Sequence, residues 1–276
     1  MIVILLLIAF NNVYSQAYID IVSIRKSYSP DVGLHSNNSK VNTTEYLFSG
    51  INLPINYKNY ILVISPFYEN WNINTYDSLN FNLKGVGIPV TLTKQFSDKW
   101  SFSTTLFFRN NSSDLFENFS NQLGTLTTIN YTVNSKLKIK PGIYFNKEFW
   151  GNFILPIVAI DYSPNDKLRV WGNLPATLFI EKKLNKHWYC SFILRGINNS
   201  YTLNKNEYTH VNETQIGVVS DWYIGKNFVL AFEAGHSFFR KIRTGNMYLE
   251  KSFILDDKMR NNTYFRISTS YRIRLK

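Results

Sequence analysis

Few side chains in this 276-residue sequence have the type and spacing that chemistry needs. His35, His187, His210 and His236 are its only histidines, the one side chain whose ordinary titration falls near neutrality. Known outer-membrane lipid hydrolases place a histidine and a serine two residues apart on one β-strand, the spacing that turns both side chains to one face. No histidine here is followed by serine at that spacing, and the neighbours His236 and Ser237 face opposite sides of any strand. His210, Glu213 and Asp221 could be drawn together as a metal or acid–base set, but their spacing matches no ligand motif. Asp77, Asp114 and Glu117 read as loop-solvating carboxylates, and no glycine-rich phosphate loop is present. The single cysteine, Cys190, allows neither an intramolecular disulfide nor a cysteine-based metal site and reads as a small apolar residue on a strand face. The expectation is a non-enzyme without cofactor or metal.

What remains is charge placed by period-two alternation, which gives a strand one side-chain class on each face. Phe102, Thr104, Leu106 and Phe108 alternate with Ser103, Thr105 and Arg109, and Leu137, Ile139, Ile143 and Phe145 with Lys138, Lys140 and Tyr144. The pattern returns in Phe228, Leu230, Phe232 and Ala234 against Glu233 and Ser237, and in Phe265, Ile267, Tyr271 and Ile273 against Arg266, Ser268 and Arg272. One class suits lipid and the other a wet lumen. On this reading Glu181, Arg195, Asp221, Glu233, Arg266 and Arg272 point inward, either as an ionic network that stiffens a wall or as a charged constriction that selects solutes.

Short polar turns, such as Ser97-Asp98-Lys99 and Pro164-Asn165-Asp166, alternate with longer polar stretches near residues 29–43, 110–122, 200–208 and 244–260. Short turns on one side and long loops on the other predict a closed antiparallel transmembrane β-barrel, with the short turns periplasmic. About fourteen strands are expected, at 17–28, 44–55, 59–70, 79–95, 99–110, 123–133, 136–146, 153–162, 167–172, 174–184, 187–200, 209–223, 226–240 and 262–275. Merging pieces at Trp171 to Pro175 or at the first strand gives twelve. Tyr57, Tyr60, Trp71, Trp100, Trp150, Trp171, Trp188 and Trp222 sit at segment ends, where interfacial girdles place aromatic rings. Pro89, Pro141 and Pro156 fall inside strands and predict irregularities, since each removes a ladder hydrogen bond.

Composition agrees with one such domain: 45% of residues are hydrophobic, 16% are aromatic, and no low-complexity linker divides the chain. The apolar run Ile2 to Phe10 followed by Val13-Tyr14-Ser15 reads as an export signal over residues 1–15, too short to span a membrane, with the barrel over 16–276. A net charge of +11 does not point to nucleic acid, because the cations are scattered and the chain is exported. Lipopolysaccharide and small solutes are the expected partners, in the outer membrane, with no oligomeric state indicated.

Three stretches carry a resemblance: Ser15-Gln16-Ala17, the segment Leu155-Pro156-Ile157-Val158-Ala159-Ile160-Asp161-Tyr162-Ser163-Pro164-Asn165, and Arg169-Val170-Trp171-Gly172-Asn173-Leu174-Pro175. The chain resembles a family of outer-membrane β-barrels from Bacteroidetes that is known as a domain of unknown function. The resemblance implies fold and location and brings no activity with it. Passive transport or envelope structure is therefore the leading expectation. The alternatives are a protein or enzyme handling lipids or hydrophobic compounds at the outer leaflet, or a secreted soluble β-sandwich.

Overall fold

The computed structural model describes residues 17–33, 40–75, 80–247 and 253–275. The expected export signal, His35 and Asp77 lie outside these residues. The described chain is almost entirely β-structure, in seventeen segments: β1 (Tyr18–Gly33), β2 (Lys40–Ile51), β3 (Leu53–Tyr57), β4 (Tyr60–Ile64), β5 (Phe67–Thr75), β6 (Phe81–Gln95), β7 (Trp100–Ser112), β8 (Asn121–Asn134), β9 (Leu137–Glu148), β10 (Gly151–Asn165), β11 (Leu168–Leu174), β12 (Thr177–Lys183), β13 (Trp188–Thr202), β14 (Glu207–Ile224), β15 (Phe228–Asn246), β16 (Phe253–Lys258) and β17 (Asn262–Arg274).

These segments lie on fourteen staves. β2 and β3 share one stave, interrupted at Asn52, and β4 and β5 share the next, interrupted at Ser65 and Pro66. β16 and β17 share the last, both pairing with β15. Each stave pairs antiparallel with its neighbours in sequence, and β17 closes the sheet on β1, with Tyr18 opposite Arg274 and Tyr28 opposite Phe265. Closure leaves no sheet edge along the seam, so the backbone is satisfied by the wall itself.

Alternation sets the two surfaces. Ile24, Leu106, Phe108, Ile143, Phe232, Phe265 and Ile267 are exposed on the outside, while their neighbours Ser23, Lys140, Glu233 and Arg266 are buried. A ring of exposed aromatics, Tyr57, Tyr60, Trp100, Trp188, Trp222 and Tyr271, marks the end that carries the short turns. Trp71 and Trp171 do not join it, because both are buried within the barrel, and Trp150 lies against the His210 ring at a centroid distance of 5.8 Å. An aromatic at a strand end can turn either way, and position along the chain does not say which.

The strands run further than alternation predicts. β13 and β14 continue to Thr202 and from Glu207, so most of the 200–208 stretch is strand, with Tyr201 and Tyr208 buried. Above the apolar belt the outer face no longer has to be apolar, and the alternating signal fades although pairing persists. The prolines act locally: Pro141 falls in a break in the β8–β9 ladder that leaves the register unshifted, and Pro89 lies across from the Ser65–Pro66 interruption, its carbonyl accepting from the Ser65 N–H. The register is continuous through Pro156.

Three departures from a uniform cylinder position the interior. First, the tops of β13 to β16 lie across one mouth. Tyr201, Val211, Ile242 and Met259 pack onto Trp71, Ile73 and Leu83 of β5 and β6, and Thr202 makes a parallel bridge to Ser112 of β7, a strand nearly opposite in the wall. Second, the start of β1 is tucked behind the β3–β4 hairpin. β1 pairs with β2 only from Val22 upward, and below that Ile19, Ile21, Ile273 and Leu275 pack against Ile61 and Val63. Third, β11 and β12 are far shorter than the strands beside them.

Candidate solute pathway

The interior is built in tiers of charge. The middle tier centres on Glu233 of β15, which accepts hydrogen bonds from Arg195 at 3.1 Å, Arg266 at 2.9 Å and the Tyr264 hydroxyl at 2.6 Å. Arg195 and Arg266 also donate to Gln215, Arg266 reaches Ser27 of β1, and Gln215 donates to Glu213. Glu213 in turn accepts from Arg240 Nε at 2.9 Å, with both side chains buried. Gly217 and Gly235, opposite each other on β14 and β15, make room for Tyr264, whose hydroxyl would lie only 2.6 and 2.7 Å from a Cβ at either position.

The lower tier stands by the short turns. Arg272 donates to Asp20 and Asp221, Arg274 donates to both oxygens of Glu181 at 2.7 Å, and Arg169 makes a two-point contact with Asp161. The Tyr18 ring lies 3.5 Å from the Arg272 guanidinium carbon. Such two-point pairs hold both planes in register and satisfy several donors at once. At the opposite end a polar knot joins the hairpin tips: Glu148 accepts from Gln122, Asn146 and Ser200, and the Phe149 N–H donates to Ser200 Oγ.

Two cavities lie between these tiers. The inner one, about 540 Å³, is polar on one wall, where Thr91 meets Thr105 and Thr93 meets Ser103, both at 2.8 Å. The outer one, about 900 Å³, carries Trp71, Phe107, Tyr144, Trp150 and Phe153 on its walls and Arg195, Glu213 and Arg266 on its floor. Arg25, Arg195 and Arg266 line both cavities, so three guanidinium groups stand at the boundary between them.

The wall of the outer chamber is lowest at the β11–β12 hairpin. β10 pairs with β11 only from Val158, opposite Leu174, onward, leaving residues 151–157 with β9 alone. On the other side, β13 pairs with β12 up to Arg195, and the last bond is from the Gly196 N–H to the Ala176 carbonyl at 2.7 Å.

The structure places Glu181 and Arg274 together, joins Arg195, Glu233 and Arg266 in the middle tier, and pairs Asp221 with Arg272 below. His210, Glu213 and Asp221 do not meet as a set: His210 contacts Asn198, Glu213 contacts Arg240, and Asp221 contacts Arg272. Sequence reasoning missed Glu148, Arg240 and Arg274. Arg274 follows the same alternation as Arg272 and could have been read from it. Arg240 could not, because Phe239 takes a left-handed backbone with φ of 52° and shifts the register against β14, so the inward parity changes from Ser237 to Arg240 and Ile242. Ser200 and His210 stand opposite each other on β13 and β14, a neighbourhood that no single-strand spacing reveals. The Ser200 hydroxyl is wholly buried and donates to Glu148.

Residues 11–274 match the family described as a domain of unknown function (DUF6268), and the chain belongs to that family. No curated protein matches it. Among solved structures it is similar to the COG4313 outer membrane channel from Pseudomonas putida F1, with 8% identity, a TM-score of 0.50, and 94% of this chain and 97% of that one covered. It is also similar to a Pseudomonas aeruginosa FadL homologue, with 8% identity, a TM-score of 0.50, and 91% and 89% covered. At these identities the likeness is one of fold: the chain is a closed fourteen-stranded outer-membrane β-barrel.

Proposed function

We propose that this outer-membrane barrel is a passive, non-catalytic channel for small, predominantly apolar molecules, held in the outer chamber before they pass the guanidinium-lined neck. The supporting observation is the outer chamber itself, about 900 Å³ of mainly aromatic and aliphatic wall set above a charged floor. Pockets of this size, mostly apolar with a few convergent polar groups, suit small-molecule capture. Glu181, Arg195, Asp221, Glu233, Arg266 and Arg272 act in this reading as ties that fix the wall and neck, since each has a buried or half-buried ionic partner. A non-catalytic role fits the commitment of Ser200 to Glu148. Lipopolysaccharide surrounds the upper wall in this reading, and residues 1–15 are the export signal, which the N-terminal sequence of the mature protein checks.

The test is binding of an apolar fluorophore, N-phenyl-1-naphthylamine, to the folded barrel in nanodiscs. Saturable binding that is lost on Tyr144→Glu supports the reading. Binding no better than that of empty nanodiscs overturns it.

A further inference from the structure

Where a strand has an unpaired edge, one cavity can reach both of its faces. Along β10, whose residues 151–157 pair with β9 alone, the outer chamber touches alternate residues, Phe153, Leu155 and Ile157. Along β13 it touches five in succession, Arg195 to Asn199. Arg195 bonds the buried Glu233, and Ile197 packs with the interior cluster of Trp71 and Tyr201, so the odd residues face the lumen. Gly196 and Asn198 belong to the opposite set, with the exposed Phe192. The cavity therefore passes round the edge of β13, just above its last bond to the β11–β12 hairpin.

The gap this describes has defined borders. Leu174, Pro175 and Ala176 form its sill, Gly151 to Ile157 of β10 and Gly196 to Asn199 of β13 its sides, and the contact of Trp150 with His210 its top. Three strand spacings separate β10 from β13 at the sill, roughly 14 Å. On its β10 side the gap borders apolar outer surface: Ile154 is 62% exposed, four positions above Val158, the partner of Leu174, while its β13 side presents Gly196 and Asn198. Four residues of strand rise roughly 13 Å. Inside the opening Trp150, Phe153 and Tyr144 stand edge to face in sequence, with centroids 5.8 and 6.0 Å apart. Unpaired strand edges are tolerated at membrane depth only where they line a cavity, and Pro156 removes one donor from the free segment of β10.

We propose that the outer chamber opens sideways through this gap, and that small apolar molecules dissolved in the outer leaflet enter the barrel between β10 and β13. This rests on the chamber being a site for apolar molecules. Among the described residues of the folded-over mouth, the knot of Gln122, Asn146, Glu148 and Ser200 is polar and buried.

The test uses the whole barrel in nanodiscs, with Cys190→Ala as background and a nitroxide on Asn199→Cys. Phe192→Cys serves as the lipid-facing reference and Thr105→Cys as the inner-cavity reference. Collision with oxygen, which concentrates in lipid, should exceed collision with a water-soluble nickel chelate at position 199, as it does at 192 and not at 105. A nickel-dominated signal at 199 overturns the proposal, and so does a label shielded from both, which would mean that a second copy or a loop covers the gap. A second variant, Ala176→Cys carrying a bulky maleimide, should abolish transfer of N-phenyl-1-naphthylamine from lipid into the chamber. Transfer that survives the maleimide also rejects the opening. Failure of the fluorophore to bind even the unmodified barrel would instead reject the chamber as an apolar site.

Discussion

Arg240 and Glu213 form the most deeply buried ion pair of the middle tier. Removing one partner of such a pair leaves the other desolvated and uncompensated, which costs about 3–5 kcal/mol. Arg240→Ala should therefore lower the thermal midpoint of the folded barrel, read as the loss of its fast-migrating form on unheated gels, and Glu213→Gln added to it should restore part of the loss. Equal midpoints for wild type and Arg240→Ala would show that water reaches Glu213. At this scale the sequence was informative to a limited depth. Alternation assigns Glu233 and Arg266 to one face of their strands, but which carboxylate meets which guanidinium depends on strand register. The outer chamber was illegible for the same reason: Phe107, Tyr144 and Phe153 lie on three different strands.

The most telling element is the β3–β4 hairpin, because it covers the tucked start of β1 where lateral pairing stops. Its tip meets β1 through an apolar contact of Val63 and Ile61 with Ile19 and Leu275, with Asn52 donating to the Asp20 and Ile21 carbonyls at its base. Burying a carboxylate there without a partner is heavily disfavoured. Val63→Asp should loosen the β3 arm, so that a protease added from the short-turn side cuts at the β3–β4 turn faster than in the wild type while the rest of the barrel stays resistant; an unchanged cutting rate would show that the ladder of β4 with β6 alone holds the hairpin. The number of strands was readable because each carries enough alternation to be seen singly. The hairpin that lowers the wall was also visible, as the close succession of Trp171 to Pro175, but its consequence depends on how far β10 and β13 continue beside it. The length of the flanking strands is what the polar stretches concealed.

For the molecule as a whole, three tiers of polar and charged side chains bracket two cavities. Arg25 lines both cavities and lies 4.3 Å from the Phe48 ring, so it stands in the neck without being part of the Glu233 network. In planar bilayers the wild-type barrel should be nearly silent. Arg25→Ala should give discrete conductance steps and Arg25→Trp none, and a large ohmic conductance from the wild type would place the open path elsewhere.

The seam between β1 and β17 joins the first described strand to the last, and Arg272 clasps Asp20 across 252 positions of sequence. No other described strand offers β1 this partner, so a sheet that lacks β17 keeps two unpaired edges. Completion is thus reported by a single late event. A chain that has lost its last strand leaves Asp20 without Arg272 and strips Ile273 and Leu275 from the cluster around Ile19.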